Sequence, residues 1–179
     1  MITPDELKQL KAYVRYDGLI VGVIMCVTFV MMMRGITDPM LEMLAMVLLV
    51  ATPFVVGKRL ANYRDKIIMK RVSFRRALFY TSQCFMYGGI ILALVSYAYM
   101  RFIDEGSFAA AMIEALSKPE MAALVKQNGM SVDELIELLG VQKPVDVAVS
   151  LLSNVLIMGF MASLIISLIV GREPKGKKQ

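Results

Sequence analysis

The sequence predicts an all-α polytopic membrane protein, a bundle of four transmembrane helices with little chain outside the bilayer. Of its 179 residues, 58% are hydrophobic, and the mean hydropathy is +0.63, whereas a soluble domain is about 45–50% apolar. The apolar residues form four runs, each close to the roughly 20 residues that one crossing of a bilayer requires. Four spans leave little of the chain for a separate soluble domain.

The stretch 58–76, KRLANYRDKIIMKRVSFRR, orients the predicted bundle. It contains eight Lys or Arg residues and one acid, Asp65. Basic residues that flank a span mark its cytoplasmic side, because Lys and Arg resist translocation. Fifteen of the twenty Lys and Arg residues lie in the amino-terminal arm, in this stretch and in the carboxyl-terminal tail. We therefore expect both termini in the cytoplasm, which requires an even number of spans.

The segments of this single membrane domain follow from local signals. Thr3, Pro4 and Glu6 form the start of a helix with a capping box, and the segment 104–146 has eight acids against three lysines. The predicted segments are an interfacial helix at 3–16, spans at 17–34, 40–56, 77–102 and 147–170, an extracytoplasmic helical segment at 104–146 and a cytoplasmic tail at 171–179. The helices of 104–146 are expected to cap the bundle, with a partner-binding face as the alternative.

Small residues recur where two helices are expected to approach closely. In the fourth span they occur at every fourth position, and a Gly pair lies inside the third. The predicted packing residues are Gly18, Gly22, Gly88, Gly89, Gly159, Ser163, Ser167 and Gly171.

Four polar side chains inside the spans are candidates for function, since such groups are costly in a bilayer. They are Asp17, Glu42, Gln83 and Asn154. Asp17 could bind a proton or cation, or could pair at the interface with Arg15 or with a base of the stretch 58–76. Glu42 could be functional or could reach outward to the interface. Because Trp is absent, Tyr is expected to supply the interfacial aromatic belt.

Three parts of the chain carry a resemblance to a known family. They are YRDKIIMKRVSFRRALFYTS at 63–82, GMSVDELIELL at 129–139, and the small-residue fourth span with its Lys-rich tail. The chain resembles a family of small four-span bacterial membrane proteins, the domain of unknown function 4199. The resemblance implies the inner membrane of a Gram-negative bacterium and a polyprenyl-phosphate glycosyltransferase as a candidate partner, but it implies no activity.

Composition and motifs also indicate which classes of function are not expected. The chain has no His, and no phosphate-binding loop, nucleophile elbow or Cys cluster is present, so we expect no enzyme activity, cofactor or metal. Nucleic-acid binding is not expected, because the bases flank apolar spans, where anionic lipids attract them. Cys26 and Cys84 both lie in spans.

The best-fitting function is a non-catalytic bundle that anchors, scaffolds or regulates a membrane-associated partner; the alternative is a small transporter or channel subunit. Expected partners are anionic membrane lipids, the glycosyltransferase and further copies of the chain. The candidate ligands for lipid phosphate or a partner are Lys58, Arg59, Arg64, Lys70, Arg75 and Arg76. The alternative is that these bases only set the topology.

Overall fold

The computed structural model describes residues 4–36, 38–68, 72–104, 106–119, 121, 125, 131–141 and 143–170. Within these ranges the chain forms six helices: α1 Pro4–Gly35, α2 Pro39–Tyr63, α3 Phe74–Tyr99, α4 Ser107–Ser117, α5 Val132–Val141 and α6 Pro144–Val170. Single π-helical turns, Arg64–Ile68 and Met100–Asp104, extend α2 and α3. Four helices, α1, α2, α3 and α6, are long and apolar enough to cross a membrane. The predicted all-α, four-span fold is confirmed.

Helix α3 is the centre of the bundle. It packs extensively against α1 on one side and α6 on the other, and α2 packs mainly against α1. Contacts between α2 and α6 are sparse. Glycines let α3 approach both neighbours: the Gly88 backbone meets α1 at Val21 and Gly22, and Gly89 meets α6 at Val155.

The two ends of the bundle differ in charge. We call the end where α1 begins, α2 joins α3 and α6 ends the basic end, because it carries the stretch 58–76. At the other end, acids begin helices: Asp38 accepts a hydrogen bond from the Met40 backbone amide at 2.9 Å, and Asp104 accepts from the Phe108 amide at 3.0 Å. Asp146 accepts from the Lys143 amide at 3.0 Å. Two of the acids of 104–146, Asp104 and Asp146, therefore stabilise helix termini.

The predicted division between an interfacial helix at 3–16 and a span at 17–34 is not visible, since α1 is continuous. Leu10 and Val14 are 1% exposed and belong to the same core cluster as Leu60 and Ala77. Leu10, Val14, Asp17 and Val21 follow one face of the helix, so the packing surface continues across the predicted boundary. The other long helices also differ from the predicted limits of their spans: α2 continues past 56 to Tyr63, α3 begins at Phe74 instead of 77, and α6 begins at Pro144 instead of 147.

Some predicted features lie outside the described residues: Lys70, Gly171, the tail 171–179 and, within the segment 104–146, residues 105, 120, 122–124, 126–130 and 142. In the described part of the segment 104–146, α4 and α5 contact each other.

The predicted packing residues lie between helices wherever the structure describes them. A Cβ atom at Gly18 would lie 2.7 Å from Cβ of Tyr87, and one at Gly159 would lie 2.7 Å from Cβ of Phe85. One at Gly22 would lie 2.9 Å from Ile91. Ser163 and Ser167 are buried on the same side of α6 as Gly159.

Replacing Gly159 by Leu is expected to destabilise the bundle by about 1–3 kcal/mol or more, because the new side chain forces α6 away from Phe85. Thermal unfolding in detergent measures the effect. The matched control is Leu156→Phe, a larger side chain at a position that is 42% exposed. Equal unfolding temperatures for the two variants would contradict the packing role of Gly159.

Candidate functional site

Asp17 joins three helices at the basic end. Its side chain is 3% exposed, and it forms an ion pair with Arg59 of α2. Its second carboxylate oxygen, Oδ2, accepts a hydrogen bond from the hydroxyl of Tyr80 of α3. Both oxygens of the carboxylate are therefore satisfied inside the protein, as a buried charge requires. The partner of Asp17 is a base of the stretch 58–76 rather than Arg15.

Aromatic rings surround this carboxylate. Tyr80 stacks on Tyr63 with ring centroids 5.1 Å apart, and Tyr63 contacts Tyr13 at 5.4 Å. The guanidinium of Arg59 lies 5.6 Å from the centroid of the Tyr16 ring, within the range of a cation–π interaction. Because the side chain of Asp17 is 3% exposed, water has little access to the carboxylate, and the low local dielectric strengthens the ion pair.

Tyr63 and Tyr80 therefore differ from the expected interfacial belt, since they are 2% and 0% exposed. The hydroxyl of Tyr63 accepts a long hydrogen bond from Arg76 at 3.4 Å. Sequence reasoning did not assign these tyrosines to the site. The available signal is their position: Tyr63 lies within the basic stretch and Tyr80 shortly after it, at the same end of the bundle as Asp17.

Arg64 connects α6, the last of the four long helices, to the basic end. Its Nη1 donates to the backbone carbonyl of Val170, the last described residue of α6, at 2.6 Å. Its Nε donates to Asp65 at 2.6 Å. An Arg at the carboxyl end of a helix satisfies a carbonyl that lacks a partner within the helix. The basic end thus ties all four long helices together through polar contacts.

The candidate ligands for lipid phosphate fall into two groups. Arg59, Arg64 and Arg76 contact groups inside the protein. Lys58 and Arg75 are exposed at the surface of the basic end. The structure thus gives three of these bases internal contacts, and it leaves two in position to meet an external anion.

The other intramembrane candidates lie apart from Asp17. Glu42 is exposed in the first turn of α2, where its backbone meets Gly35. Gln83 is half-buried, and Asn154 is exposed near the middle of α6. No three His, Cys, Asp or Glu side chains of the described ranges come together as metal ligands.

A cavity of about 440 Å³ lies between the four helices, near the middle of their length. Each helix contributes to its wall, including Met25 of α1, Pro53 of α2, Phe85 of α3 and Asn154 of α6. Its surface is almost entirely apolar. It is a second candidate site, separate in character from the charged cluster around Asp17.

Replacing Arg59 by Gln is expected to lower the free energy of unfolding by about 3–5 kcal/mol, because it leaves the carboxylate of Asp17 buried without its cation. Chemical unfolding in detergent measures this loss. Adding Asp17→Asn to the Arg59→Gln variant should restore part of the stability, since the buried charge is then gone.

The matched control for the Arg59 variant is Asp65→Asn. Asp65 is paired with Arg64, but its side chain is 44% exposed, so its loss is expected to cost less than about 1 kcal/mol. If Arg59→Gln were no more destabilising than Asp65→Asn, the buried pair would not hold the basic end together.

Comparison with known proteins adds the family. Residues 16–172 match the model of a family described as Protein of unknown function (DUF4199). The chain matches no curated protein and no solved structure closely enough to infer relatedness. Because the matched range covers most of the chain, including all of the site at the basic end except Tyr13, the chain belongs to the DUF4199 family.

Proposed function

We propose that this protein is a non-catalytic scaffold in the bacterial inner membrane, and that it anchors or regulates a partner that also has a transmembrane helix. The observation that carries the proposal is a polar stripe on the surface of α6, formed by Ser150, Ser153 and Asn154. All three are exposed, and their spacing places them on one face of the helix.

The polar stripe has no hydrogen-bond partner in the part of the chain that the structure describes. None of its three side chains hydrogen-bonds to a residue that the structure describes. An amide or hydroxyl in contact with lipid loses its bonds to water, which costs free energy. A neighbouring helix can provide the missing partners, and such interhelical bonds contribute about 0.6–2 kcal/mol each. The partner helix would belong to another protein or to a second copy of the chain.

The basic end supplies a second surface for the same role. With the basic end in the cytoplasm, the exposed Lys58 and Arg75 would face anionic lipid headgroups and the acidic surface of a cytoplasmic partner. A membrane-associated glycosyltransferase acting on a polyprenyl phosphate is the candidate that the family resemblance suggests. Phosphate is a suitable ligand for these bases.

A transporter or channel has less support. A polar pathway would need hydroxyls and amides that face a shared space, but Thr28 and Thr52, which line the cavity, donate to carbonyls of their own helices at 2.9 and 2.8 Å. The remaining wall is almost entirely apolar. These contacts favour a protein that holds other molecules in place over one that moves polar solutes.

Replacing Asn154 by Leu is expected to reduce the recovery of the membrane partner at least tenfold, because Leu has a similar size but cannot hydrogen-bond. Quantitative mass spectrometry of material purified from native membrane after chemical cross-linking measures this recovery. The control is Ile157→Leu, an apolar exchange at a position that is 63% exposed. Unchanged recovery with Asn154→Leu would overturn the role of the stripe, and cross-links between two copies of this chain would identify the partner as the protein itself.

The proposed orientation has its own test. In a variant without Cys26 and Cys84, a Cys placed at the exposed Lys66 should be protected from a membrane-impermeant reagent in cells with a permeabilised outer membrane. A Cys placed at the exposed Lys118 should react. The reverse pattern would place the basic end outside the cytoplasm and would contradict the orientation.

A further inference from the structure

The wall of the cavity selects against water. Its surface is almost entirely apolar and comes from residues such as Met25, Phe29, Phe85 and Leu92. The two Thr hydroxyls in the wall are already bonded to backbone carbonyls, which leaves Asn154 as the other polar side chain of the wall. A buried water typically needs two to four polar partners, and a single amide in an apolar wall is a poor site for several waters. An apolar occupant is required to recover the dispersion contacts that an unfilled cavity loses.

Leu49 of α2 and Met158 of α6 line the cavity and are also 50% and 69% exposed at the surface. The two helices make few contacts with each other. We infer from this that the cavity opens between α2 and α6. Leu49 and Met158 lie within the apolar parts of their helices, so the molecules outside the opening are lipid chains.

The size of the cavity is compatible with a hydrocarbon chain. On α6 the wall runs from Leu151 to Ala162, which is about 16 Å along the helix axis. The volume of about 440 Å³ lies within the range of roughly 300–1,000 Å³ that sites for small ligands occupy. A single hydrocarbon chain is long and narrow enough for such a site.

We propose that the cavity binds one acyl chain of a bilayer phospholipid, which enters between α2 and α6. The cavity lies near the middle of the long helices, which is the depth that the ends of acyl chains reach in a bilayer with a hydrocarbon thickness of about 30 Å. The unbranched side chains of Met25, Met32 and Met158 line the cavity, and their flexibility suits a chain that has many conformers. Asn154 lines this cavity and also belongs to the polar stripe, but the acyl-chain site requires only lipid, so its test needs no partner helix.

The first experiment uses the wild-type protein in nanodiscs that contain a phospholipid with a diazirine near the end of one acyl chain. After irradiation, peptide mapping should find labels at Met25, Phe85 and Leu92, which line the cavity, several-fold above those at Leu168 and Ile169, which are 63% and 65% exposed. A phospholipid labelled near its headgroup should not mark the cavity wall. Labelling confined to the outer faces would overturn the proposal.

The second experiment fills the cavity from two sides. Ala162→Phe on α6 and Leu49→Phe on α2 each place a ring in the wall, and each should reduce the phospholipid retained after delipidation at least tenfold, as counted by native mass spectrometry. The matched controls are Ile165→Phe and Val50→Phe, at positions that are 59% and 62% exposed; both should retain the lipid. Because the two filling variants act from different helices, failure of one to fold leaves the other as the test. Retention of lipid by a folded filling variant would overturn the proposal.

Discussion

The carboxylate of Asp17 is the interaction on which the basic end of the bundle depends. Asp17 lies on α1, its cation on α2 and its hydroxyl donor on α3, so a single side chain determines how three helices are rotated relative to one another. Hydrophobic surfaces in a bilayer do not supply this information, because lipid tails are as apolar as the helix faces. The ion pair and the small residues together provide the specificity that the hydrophobic effect provides in water.

Small residues bring the long helices together along their length, whereas the polar contacts lie at the basic end. Gly18, Gly22 and Gly88 bring α1 and α3 together, and Gly89 and Gly159 bring α3 and α6 together. Helix α2 has no comparable contact with α6. The cavity therefore forms next to the helix pair with sparse contacts, α2 and α6, while the contacts of Arg59 and Arg64 hold α2 at the basic end.

The four spans and the positions of close helix contact could be predicted from the sequence, because apolar length and small-residue spacing are local properties. The pairing of Asp17 with Arg59 could be predicted only as one of several options. The two residues are 42 positions apart, and their contact depends on the depth and rotation of two helices. Local sequence therefore groups Arg59 with the bases available to phosphate and favours the interface for tyrosines in general, and it does not indicate that Tyr63 and Tyr80 are buried. The cavity could not be predicted from the sequence, since most residues of its wall resemble the other apolar residues of a span.

The location of the ion pair also bears on the insertion of the protein into the membrane. Asp17 and Arg59 belong to the first two long helices, so the α1–α2 hairpin already contains both charges before α3 is synthesised. Their pairing can reduce the cost of bringing either charge close to the hydrocarbon. Tyr80 and Val170 come later in the chain and complete the contacts of the acid and of Arg64. The charge that is most difficult to place in a bilayer can thus acquire its partner at the earliest stage of assembly.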